Sequence, residues 1–135
     1  MTTPRALMSN SVCVLVVDDD RDLRESVAAA AEEAGHAAAA AANGQEALEM
    51  LRGGVRISLV LLDLMMPDMN GEQVAAAIRS DRELAGVPIV LFSASSEARS
   101  IAGRIGVDGF LPKPFGLDKL SGLLDRYCRA PIATP

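Results

Sequence analysis

A chain of 135 residues, half of them apolar but only 3% aromatic, suits one domain around an aliphatic core. A net charge of −5 argues against the clustered Lys and Arg of a nucleic-acid footprint. No run approaches the roughly 18 apolar residues of a membrane-spanning helix, and residues 1–11 lack the apolar stretch of a secretory signal.

Residues 1–11 are polar, include Pro4 and read as a flexible leader. Val12 to Val17 is an unbroken apolar run, rich in β-branched residues and bounded by Asp18, as expected of a strand buried on both faces of a parallel sheet. Leu23, Val27, Ala30, Ala31 and Ala34 then share one helical face, with Gly35 as the stop. Six alanines follow in residues 36–42. Ala favours helix, yet the place of this segment between Gly35 and an Asn43-Gly44 turn asks for a short edge strand. Glu46 to Leu51 reads as a short helix closed by Gly53-Gly54, and Ile57 to Leu62 as a third strand. Asn70, with Gln73 three residues on, opens a helix whose Val74, Ala77 and Ile78 face inward. Pro88 to Phe92 is a fourth strand. Ala98, Ile101, Ala102 and Ile105 mark a helix ended by Gly106. Gly109 to Leu111 is a fifth strand, and Leu117, Leu120, Leu124 and Tyr127, with Leu123 beside them, make the last helix. Five strands alternating with five helices define a doubly wound α/β domain with a five-stranded parallel sheet. It spans residues 12–129 and leaves a short tail at 130–135.

Ligands of such a sheet bind beyond the carboxyl ends of its strands. The residues at those ends are therefore the informative ones: Asp18, Asp19 and Asp20, then Asp63, Ser93 and Lys113. Taken singly they are unremarkable, and Asp20 suits a helix N-cap. Together they make a chemistry. Carboxylates packed this closely stay ionised only beside a cation, and hard oxygen ligands suit Mg²⁺. A carboxylate can attack phosphorus to give an aspartyl phosphate, while a lysine and a hydroxyl neutralise the phosphoryl oxygens.

The segments Val-Leu-Val-Val-Asp18-Asp19-Asp20, Leu-Leu-Asp63-Leu-Met-Met-Pro67-Asp-Met-Asn-Gly71, Phe-Ser93-Ala94 and Lys113-Pro114-Phe115 resemble the motifs of two-component response-regulator receiver domains, over residues 12 to 129. The resemblance implies a flavodoxin-like strand order of 2-1-3-4-5 and a stand-alone, chemotaxis-regulator-like switch. Asp63 would be the phosphoacceptor. Asp18, Asp19, Asp63 and the backbone carbonyl of Met65 would hold Mg²⁺, with Asp18 acting mostly through a metal-bound water. Lys113 would pair with Asp63 and then with the phosphoryl group. Ser93 and Phe110 would move together on activation, Phe110 by apolar burial alone because it has no hydroxyl. The Lys113–Pro114 bond would often be cis. The donor would be a sensor histidine kinase or a His-phosphotransfer protein, and the reader a protein meeting helix 4, strand 5 and helix 5. Neither nucleic acid nor membrane is expected, the location is expected to be cytoplasmic, and the state a monomer or weak dimer. The protein would catalyse only its own phosphorylation and dephosphorylation. Apolar Met65, two residues after the acceptor, would leave an attacking water unoriented and the phosphoryl group long-lived.

Other readings remain beside this one. A pseudo-receiver would keep the fold and bind proteins without phosphotransfer. A haloacid-dehalogenase-like phosphatase would want an Asp where Met65 stands. A flavodoxin-like nucleotide binder would want a Gly-rich phosphate loop in place of Asp18-Asp19-Asp20. Cys13 and Cys128 lie far apart without C-x-x-C spacing and read as reduced thiols, a disulfide between them staying open. His36, the one histidine, reads as structural or superficial and remote from the acidic cluster.

Overall fold

The computed structural model describes residues 11–128; the leader expected at 1–11, apart from the backbone of its last residue, and the tail at 130–135 lie outside them. Five strands, β1 (Ser11–Val17), β2 (Ala38–Ala41), β3 (Arg56–Asp63), β4 (Ile89–Ser93) and β5 (Gly109–Pro112), alternate with five helices, α1 (Arg21–Glu33), α2 (Gly44–Arg52), α3 (Gly71–Ser80), α4 (Ala98–Ile105) and α5 (Leu117–Tyr127). All strand pairs are parallel, in the order β2-β1-β3-β4-β5.

The two-residue period of a strand sorts side chains onto the two faces. Leu15, Val17, Val60, Leu62, Ile89 and Leu91 pack against α2, α3 and α4. Val14, Val16, Leu59, Leu61, Val90 and Phe92 pack against α1 and α5. Burial of each such side chain is worth about 1.5–3 kcal/mol. Because both faces are covered, the strands read as unbroken apolar runs in the sequence.

The helix ends follow from local chemistry. Asp20 caps α1 by accepting from the Leu23 N–H. Asn70 and Gln73 form a reciprocal capping box at α3. Asn43, expected in a turn, instead caps α2 by accepting from the Glu46 N–H, so that helix starts earlier than its apolar pattern suggests. Gly106 ends α4 at φ 74°. The alanine run is strand β2, at the sheet edge, with Ala41 fully buried. Leu117, expected on the inner face of α5, is 70% exposed; it sits at the helix's first turn, and Leu120 and Leu124 carry the packing.

The expectation of two reduced thiols is corrected. Cys13 and Cys128 are joined in a disulfide across 115 residues, their Cα atoms 5.3 Å apart, because α5 ends beside the start of β1. Of the two roles expected for His36, structural or superficial, it has the structural one: its ring is largely covered and bonds Asp125 on α5.

Candidate functional site

The chain passes from β1 to the edge strand β2 and then returns to β3 on the other side of β1, so a crevice opens at the carboxyl ends of β1 and β3. Val17 pairs with Leu62, so Asp18 and Asp63 emerge side by side. Asp63 in turn pairs with Phe92, and Ser93 with Pro112. Lys113 follows, its N–H donating to the Ser93 carbonyl at 2.9 Å. The Lys113–Pro114 peptide is cis. Strand register alone thus brings the four sequence-distant segments to one rim.

Asp18, Asp19, Asp20, Asp63, Met65, Ser93, Ala94, Ser95 and Lys113 line the resulting cleft. Carboxylate oxygens of Asp18, Asp19 and Asp63 lie within 4.8 Å of one another. Asp18 and Asp63 are buried while Asp19 is exposed, as a cation entering from solvent requires. Lys113 Nζ lies 3.1 Å from Asp18 Oδ2 and 3.3 Å from Asp63 Oδ1. One lysine between two buried carboxylates does not cancel both charges. Burial, then repulsion from Asp18, raises the Asp63 pKa from 3.8 to about 6, against the opposing pull of Lys113 and of the Met65 N–H. The donor set is hard, oxygen-only and overcharged, which fits Mg²⁺ with waters completing its shell.

Ser93 is buried, and its Oγ accepts from the Ser95 N–H at 3.0 Å. Phe110 is half-buried on β5, with the Arg99 guanidinium of α4 5.3 Å above its ring. Met65 is exposed, at 65%, on the cleft rim. Every residue singled out by strand-end position lines this cleft, while Phe110, singled out by the resemblance, lies farther back along β5.

Three supporting residues carried no signal at a strand end. Arg24 of α1 donates to the carbonyls of Asp18 and Asp19 at 3.2 and 3.5 Å, holding the acidic loop. The Phe92 ring lies 4.5 Å from Lys113 Nζ, a cation–π contact that fixes the ammonium from beneath. Gly71 closes the loop after β3 by donating to the Leu64 carbonyl, and a Cβ there would stand 2.5 Å from the Asp63 carbonyl oxygen. Its place in the Asp63-to-Gly71 motif was the one available hint.

A doubly wound sheet of this order, with an acidic cluster and a lysine at its switch point, is the architecture of the receiver domains of two-component signal transduction. The chain belongs to the response regulator receiver family, whose domain model matches residues 14–125. It is 40% identical over 112 residues to the response regulator MprA of Mycobacterium ulcerans, and 38% to that of Mycobacterium tuberculosis. Each match covers 82% of this chain and 47% of the relative, so the chain spans about half the length of these curated relatives. Among solved structures, the Vibrio cholerae chemotaxis protein CheY4 superposes with a TM-score of 0.78 at 30% identity, over 87% of this chain and 98% of that one. A response regulator receiver protein from Pseudomonas putida gives 0.79 at 31% identity, over 86% and 97%. Among the described residues no helix is long and apolar enough to cross a membrane.

Proposed function

We propose that the chain is a phosphorylation switch in which Asp63 takes a phosphoryl group from a phosphohistidine donor, in a self-catalysed, Mg²⁺-dependent reaction. The observation that carries this reading is the meeting of Asp18, Asp19 and Asp63 within 4.8 Å, with Lys113 3.3 Å from Asp63. An Asp63 carboxylate oxygen attacks phosphorus, the phosphorus–nitrogen bond of the donor breaks, and the imidazole leaves with a proton. Mg²⁺, held by Asp18, Asp19, Asp63 and the Met65 carbonyl, would neutralise charge on the transferring group. Lys113, already beside Asp63, keeps its contact with the carboxylate and adds one to a phosphoryl oxygen. Ser93 Oγ gives up the Ser95 N–H and turns its hydroxyl towards the phosphoryl group. Phe110 then fills the space behind Ser93 and leaves its place beneath Arg99, changing the face formed by α4, β5 and α5. That face is where a downstream protein reads the state. The added charge, close to two negative units, biases an equilibrium between two arrangements of these elements.

Intact-protein mass after incubation with acetyl phosphate and Mg²⁺ tests the proposal. The wild type should gain one phosphoryl mass and Asp63→Asn none. Equal masses with and without acetyl phosphate would favour a pseudo-receiver that binds partners constitutively.

A further inference from the structure

The chain contains two cysteines and one histidine, and the fold brings all three together. Cys13 lies on β1, His36 in the turn between α1 and β2, and Cys128 at the C-terminal cap of α5. Their sulfur and ring-nitrogen ligand atoms lie within 4.8 Å of one another. Asp125, one turn before Cys128 on α5, has Oδ1 3.2 Å from His36 Nε2. Helices run back antiparallel to the strands, so this cluster occupies the amino-terminal end of the sheet. Along β1, at about 3.3 Å per residue, it stands roughly 16 Å from Asp18. None of its members serves the acidic cleft.

Two thiolates and an imidazole are a soft donor set, the chemical opposite of the oxygen cleft, and they select Zn²⁺ over Mg²⁺. Cys128 is buried, Cys13 is half-buried and the His36 side chain is only 12% exposed, so a cation there would be largely withdrawn from water. A carboxylate against the imidazole is the arrangement that orients metal-bound histidines. Asp125 supplies it from an exposed position, at 70%.

We propose that Cys13, His36 and Cys128 form a Zn²⁺ site that is available when the cysteine pair is reduced and closed when the two sulfurs are joined. A dithiol reductant delivers two electrons and two protons. The sulfur–sulfur bond breaks to give two thiols, and the reductant leaves as its own disulfide. Zn²⁺ then binds both sulfurs with release of the two protons, takes the His36 nitrogen as third ligand, and leaves one position for water. In either state the end of α5 is fastened to β1, covalently in one and through the cation in the other.

The test uses the full chain reduced with a phosphine and kept anaerobic, with Co²⁺ as the optical probe and Zn²⁺ as the displacing ion. One equivalent of Co²⁺ should give thiolate-to-cobalt charge-transfer and tetrahedral ligand-field bands, bleached by one equivalent of Zn²⁺. Oxidised protein should give neither, and Asp63→Asn should behave as wild type, which separates this site from the acidic cleft. Cys128→Ser should abolish the charge-transfer band, and Asp125→Asn should weaken Zn²⁺ binding about tenfold. His36→Ala, a side chain outside the main core, should weaken it at least as much. No charge-transfer band in the reduced wild type, or a band that persists unchanged in His36→Ala, would overturn the proposal. So would one metal ion shared by two chains.

Discussion

With the acidic cleft stripped of divalent cations, the fold has to hold a buried Asp63 carboxylate beside a buried Asp18, and replacing Asp63 by Asn should relieve it. Asp63 is 4% exposed and Asp18 1%, and they share the single ammonium of Lys113. Burial first, and the Asp18 charge second, hold the Asp63 pKa at about 6 where 3.8 is ordinary. The folded state therefore keeps a proton that the unfolded chain has released. Stability from this group is present below pH 3.8, falls as pH rises through about 6, and is absent above that. At about 1.4 kcal/mol per pH unit, the ionised carboxylate costs roughly 3 kcal/mol at pH 8. Asn keeps the shape and an oxygen for Lys113 and the Met65 N–H but never ionises. In EDTA at pH 8, urea denaturation should place Asp63→Asn about 1–3 kcal/mol above wild type. At pH 4 the two should nearly coincide. Saturating Mg²⁺ should narrow the gap at pH 8 by stabilising only the wild type. A variant no more stable at pH 8 than at pH 4, relative to wild type, would refute this account of the site's electrostatics.

Gly71→Ala should destabilise the protein by about 1–3 kcal/mol in urea denaturation, since its Cβ would meet the Asp63 carbonyl oxygen and Leu64 Cα at 2.5 and 2.8 Å; an unchanged midpoint would mean the loop yields freely. Met65→Asn should shorten the life of the phosphorylated protein, followed by loss of phosphoryl mass after removal of the donor, because an exposed rim position then carries a polar group able to orient water. A rate equal to the parent's would sink the idea that Met65 protects the bond. Reducing the Cys13–Cys128 link in EDTA should lower stability by about 2–5 kcal/mol for its 115-residue separation, with wild type and Cys128→Ser becoming equal once both are reduced.

The acidic cleft was legible because a parallel strand buried on both faces spells itself as an apolar run, and Asp18, Asp63, Ser93 and Lys113 end or follow those runs. Strand β2 was legible only from its place in the alternation, since four alanines carry no strand preference of their own. The Cys13–His36–Cys128 cluster was not legible at all. Its members sit at the opposite end of the sheet, where strands begin and helices finish, and positions 13, 36 and 128 share no local spacing. Asn43 shows a smaller failure of the same kind: Asn-Gly reads as a turn, and only the packing of Ala47, Leu48 and Leu51 against the sheet makes it a helix cap. Leu117 looked inward by its spacing from Leu120, but at the first position of α5 it stays exposed, on the rim of a groove shared with Ala30 and Glu33 of α1.

Helix α4 touches the core chiefly through two methyl groups. Ala98 and Ala102 are its buried residues, Ile101 and Ile105 are half-covered, and a side chain added at Gly103 would meet nothing. Its outward residues, Arg99, Ser100, Gly103 and Arg104, can therefore change with little effect on folding, apart from the Arg104–Glu72 ion pair and the Arg99–Phe110 contact. Surface identity and structural integrity are thus written in separate letters of this helix. A lineage can alter the side chains that the α4 face presents, one substitution at a time, while the sheet and the acidic cleft stay as they are.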